Sequence, residues 1–107
     1  ECIERMRNGH DGDDVDVFVA ADLRFHDIIL RGSGNVFLAA LFDPLTRVLA
    51  ERRAQTSRVP EIQRHAIAEH AAILEALRAE DPDRARSAMD HHMQQTMDDL
   101  HAFVLAR

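Results

Sequence analysis

Asp22, His26, His70 and His92 occupy places where the helical repeat of the sequence calls for apolar side chains. Phe18, Asp22, Phe25 and Ile29 are spaced four, three and four apart, so a helix lines them on one face, with His26 one turn beyond Asp22. Ile62, Ala66, His70, Ile73 and Leu77 form a second line, flanked by Ile67 and Leu74. Met89, His92, Thr96, Leu100 and Phe103 form a third. Each line carries a titratable side chain at the centre of a face that must pack against a neighbour.

A histidine in such a place is most often a hydrogen-bonded core residue. Asp22 is a harder case. Burying an ionised carboxylate without a partner costs several kcal/mol, so this side chain needs a cation or a set of donors. One divalent ion would satisfy all four groups, because three neutral imidazoles and a carboxylate are a transition-metal donor set. An aspartate and a histidine at i and i+4 also reach one ion from a single helix face. Asp22, His26, His70 and His92 are therefore the expected metal ligands.

The other chemistry-bearing residues read differently. His10 is expected in a loop, His65 lies beside its stripe next to Glu69, and His91 is turned about 100° from His92. All three are expected to be solvated. His101, with Asp98 three residues earlier, reads as a surface pair, and Cys2 as inert. No dependable general base falls in the inward stripes, and neither a nucleophile motif nor the Glu-x-x-His pair of di-iron bundles is present. The expectation is a chain that is not an enzyme. The first alternative is a mononuclear metallo-enzyme that activates water at an open metal position. Another is a purely structural dimerisation bundle.

The elements that must position these residues follow from composition and punctuation. With 107 residues, 46% hydrophobic and 30% charged, the chain has material for one modest core, and the expectation is a single domain over 1–107. All four glycines fall before Asn35, and the remainder is rich in Ala, Leu, Arg and Glu with no Tyr or Trp. That bias predicts an all-α fold. Residues 1–8 read as the end of a helix closed by Asn8-Gly9, and Asp13 or Asp14 as the N-cap of a helix over Val15–Arg31. Gly32-Ser33-Gly34 ends that helix. A third runs from Asn35 towards Thr56 with Asp43-Pro44 inside it, a fourth from Pro60 to Ala79, and a last from Pro82 to about Ala106 after the cap at Asp81. Short connections make neighbours antiparallel, which predicts an antiparallel helical bundle.

Charge and cysteine usage narrow the function. The formal charge of -6 argues against this chain gripping a phosphate backbone, which needs clustered cationic surface. No apolar run approaches the roughly 20 residues that span a bilayer, so no membrane partner is expected. One cysteine is too few for an internal disulfide, and a reducing, cytoplasmic setting is the default. Glu1 in place of an initiator methionine suggests that an upstream part of the protein is absent.

Asp22-x3-His26 within DLRFHDIILRGSGN, His70 within EHAAILEAL and His92 within ARSAMDHHM together resemble the FCD effector-binding domain of GntR-family transcriptional regulators, of the FadR subfamily. The resemblance spans about Asp13 to Arg107 and includes the Ser33-Gly34-Asn35 turn. It implies that Asp22, His26, His70 and His92 hold Zn, Ni or Mn inside the bundle, beside a cavity for a small organic acid, and that the domain forms a homodimer. It also implies that DNA is read by an N-terminal winged helix-turn-helix, which this sequence does not contain. An anionic effector suits such a centre, since one carboxylate and three neutral imidazoles leave a divalent ion net positive. Arg52, which continues the stripe of Leu41, Leu45 and Val48, is the expected anchor for the effector's distal charge.

Overall fold

The computed structural model describes residues 1–37, 40, 51 and 53–105. Among them the fold is all-α, with no strand. Helix α1 covers Cys2–Asp11, α2 Val15–Gly32, α3 Pro60–Arg78 and α4 Pro82–Asp99, and Leu100–Leu105 continues as a π-helical segment. The chain divides into two compact units, Glu1–Arg58 and Val59–Arg107.

One device builds a helical hairpin in each unit. At the end of α1, Asp14 N–H donates to the Gly9 carbonyl at 2.8 Å and Asp13 N–H to that of His10 at 3.3 Å, while Asp13 takes a φ of 53°. At the end of α3, Asp81 N–H donates to the Ala76 carbonyl at 3.2 Å and Glu80 N–H to that of Leu77 at 3.1 Å, with Glu80 also at φ 53°. Both are Schellman closures with a left-handed residue just past the helix. The next residue is in each case an aspartate that caps the following helix: the Asp14 carboxylate accepts from Val17 N–H and that of Asp81 from Arg84 N–H, each at 3.1 Å. Links this short turn α2 back along α1 and α4 back along α3.

In the first unit α1 buries Ile3, Met6 and Gly9, and α2 buries Phe18, Val19, Ala21, Asp22 and Phe25. Two expectations are corrected here. Gly9 does not end α1, which runs on to Asp11, and His10 therefore sits in a helix and not in a loop. Gly9 is buried because α2 passes against it: a Cβ there would lie 2.7 Å from the Phe18 backbone nitrogen. Gly9→Ala should therefore destabilise the fold even though alanine is the better helix former. Overpacking of about 1–3 kcal/mol outweighs a propensity gain of about 1 kcal/mol. A lowered thermal midpoint checks this, and a raised one would mean that the helices separate at no cost.

In the second unit α3 buries Gln63, Ile67, Glu69, His70, Ile73 and Ala76. Leu77, expected inside, is 44% exposed, and Ala76 takes the inward position at that end. Helix α4 ends at Asp99 where a longer α-helix was expected. Arg52, its stripe of Leu41, Leu45 and Val48, Asp43-Pro44 and Ala106 lie outside the described residues; residues 53–56 are helical. No described helix is long and apolar enough to cross a membrane.

Candidate metal centre

Helix α2 carries the first pair of expected ligands. Asp22 is 1% exposed, and its Oδ1 lies 3.4 Å from His26 Nε2, one turn along the same face. Its Oδ2 accepts a hydrogen bond from Arg53 Nη1 at 3.1 Å. The cation required by a carboxylate inside an apolar stripe is thus supplied in part by Arg53, one position after the arginine singled out from the sequence. A guanidinium on one oxygen leaves the other to face the imidazole, an arrangement that orients a ligating carboxylate.

Helices α3 and α4 bring the second pair together. His70 and His92 are 0% and 1% exposed, their rings meet edge to face, and their Nε2 atoms are 3.1 Å apart. The other nitrogen of His92, Nδ1, is 2.9 Å from Glu69 Oε1. An ionised carboxylate can only accept, so its place beside Nδ1 favours the tautomer in which Nε2 turns its lone pair to His70. Two facing imidazole nitrogens need a proton or a cation between them, since two lone pairs at that distance repel.

The donor set and its spacing fit a metal ion. Bond lengths of about 2.0–2.2 Å at octahedral to tetrahedral angles separate adjacent ligand atoms by roughly 2.8–3.6 Å. The His70–His92 nitrogens, at 3.1 Å, and the Asp22–His26 atoms, at 3.4 Å, each have that separation. Imidazole with one carboxylate suits Zn, Ni or Mn.

Glu69 and Arg53 are the residues that the periodicity did not single out. Burial pushes the Glu69 carboxyl up to about 7, with His65 opposing the rise and Asp99 adding to it. Glu69 lies beside the inward line of its helix, and its Oε1 is engaged with His92 Nδ1. His65 keeps a side chain 41% exposed, and its Nδ1 lies 2.9 Å from Oδ2 of buried Asp99, which accepts a further bond from Gln95 Nε2 at 3.0 Å. His91 is exposed, as expected, with its Nε2 3.8 Å from Glu69 Oε2. Asp98, expected to pair with His101, accepts a hydrogen bond from Gln94 at 3.0 Å.

Comparison with known proteins places this helical, histidine-bearing chain in a family. The model of the FCD domain matches residues 1–95, and the chain belongs to that family, the effector-domain class of GntR-type regulators. It is 30% identical over 100 residues to the HTH-type transcriptional repressor NanR of Salmonella arizonae, covering 90% of this chain and 37% of that protein. It is 33% identical over 85 residues to the putative L-lactate dehydrogenase operon regulatory protein of Escherichia coli, covering 76% of this chain and 33% of that protein. The chain thus spans about a third of the length of these relatives, and corresponds to their C-terminal part. No solved structure matches it. The family and the relatives' names support a regulatory, effector-binding domain.

Proposed function

We propose that this domain senses a small organic acid at a divalent metal centre held by Asp22, His26, His70 and His92, and so modulates DNA binding by the regulator to which it belongs. The observation that carries this is the buried His70–His92 pair, with facing Nε2 atoms 3.1 Å apart and a carboxylate behind His92. When bound, the ion supplies a positive centre at which a carboxylate or hydroxy-carboxylate replaces water. The protein's part is to present three imidazoles and to offset charge with Asp22. Arg52 is the proposed anchor for the acid's distal charge. The name of the L-lactate dehydrogenase operon regulator links that relative to a hydroxy-acid enzyme, which makes hydroxy-carboxylates the first class to test.

As an effector domain serving a two-fold operator, the chain should also dimerise. DNA contact belongs to a separate winged helix-turn-helix, in keeping with a formal charge of -6 here. Elemental analysis of untagged protein should find about one Zn, Ni or Mn ion per chain, and calorimetry should detect acid binding only when metal is present. Protein that takes up none of these metals overturns the proposal. Heat from an acid that is indifferent to metal would leave an effector domain whose metal is structural.

A further inference from the structure

Both ring nitrogens of His92 are engaged by consecutive residues of one neighbouring helix. Nε2 faces His70 Nε2 at 3.1 Å and Nδ1 faces Glu69 Oε1 at 2.9 Å, so α3 grips the α4 ring from two sides. Glu69 is 8% exposed, and such burial of a carboxylate calls for a partner with a purpose. In the sequence it is merely the residue before a histidine. In the fold it decides which nitrogen of His92 carries hydrogen, because a carboxylate at Nδ1 accepts and cannot leave that nitrogen bare.

We propose that Glu69 is a positioning residue for the metal centre: it holds His92 in the Nδ1–H tautomer, with the Nε2 lone pair directed to where the ion binds. The proposal rests on the metal reading above. His70 and His92 would both hold the ion through Nε2, and Glu69 would keep the His92 ring in place from its other side. Carboxylates behind ligating imidazoles also raise ligand basicity, and their loss commonly lowers metal affinity about 10–100-fold. A carboxylate that merely clipped α3 to α4 would affect stability and leave tautomer and affinity alone.

The test uses the whole 107-residue chain as wild type, Glu69→Gln and Glu69→Ala, all in the same buffer. In the metal-free state, nitrogen NMR of the ring should show His92 protonated at Nδ1 in wild type and redistributed towards Nε2–H in Glu69→Ala. With zinc titrated against a competing chelator, Glu69→Ala should bind about 10–100-fold more weakly. Glu69→Gln, whose amide oxygen still accepts from Nδ1, should recover part of the loss and also serves if the alanine variant does not fold. His91→Ala, which alters the exposed neighbour of Glu69, should bind as wild type does. Equal zinc affinity in wild type and both Glu69 variants overturns this inference and leaves the metal reading standing, as does a wild-type His92 protonated at Nε2. Wild type that binds no zinc overturns both.

Discussion

His92→Ala should abolish metal uptake, while His91→Ala, one residue earlier, should leave it intact. The two side chains differ in almost everything but sequence position. The ring of His92 is 2% exposed and pinned between Glu69 and His70, whereas that of His91 is 71% exposed. Loss of a ligand should exceed the roughly 10–100-fold that a supporting residue costs, so the His92 variant should retain no ion through gel filtration. It should also lose the effector response, because the acid's anchoring charge goes with the metal. Arg52→Ala, by contrast, should keep the metal and weaken only the acid. Metal content and calorimetry with an organic-acid panel check the series. Loss of metal in His91→Ala with retention in His92→Ala would overturn the assignment.

The parts of this site that were legible in the sequence are those governed by a single helix. Asp22 interrupts the line of Phe18 and Phe25, and its burial to 1% exposure follows from that spacing alone. His70 and His92 are equally central to their stripes. The helix starts at Val15 and Pro82 were legible because Asp14 and Asp81 are capping residues next to periodic segments. The residues that escaped are set by contacts between helices. Glu69 lies about 100° from His70 on α3, where periodicity predicts a flank, and only the arrival of His92 from α4 makes it interior. Arg53 escaped for a similar reason: it meets Asp22 across 31 residues of sequence, and no apolar pattern announces such a contact. Gly9 resembled a helix stop, yet the close passage of α2 is what requires it. Leu77 fell out of the core because Ala76, 0% exposed, occupies the inward place near the end of α3.

Arg53→Met should destabilise the metal-free domain by about 3 kcal/mol, and metal should restore much of that loss. Breaking a buried ion pair by removing one partner costs about 3–5 kcal/mol because the other charge stays buried. The lower end applies here, since the Arg53 side chain is 28% exposed while that of Asp22 is 1% exposed. Methionine keeps most of the aliphatic stem and removes the guanidinium, so the change isolates charge from packing. An ion on Asp22 Oδ1 would supply positive charge from the opposite side of the carboxylate, and a ligand present at about 100 times its dissociation constant stabilises a fold by about 2.7 kcal/mol. The stability gap between wild type and Arg53→Met should therefore narrow when zinc is added, because the variant's carboxylate has more to gain from the ion than one already paired with arginine. Denaturant unfolding of both proteins, each with chelator and with excess zinc, measures the four stabilities required. A gap that stays constant or widens with zinc would show that the ion does not compensate Asp22, and would remove this residue from the ligand set while leaving the histidines to be judged separately.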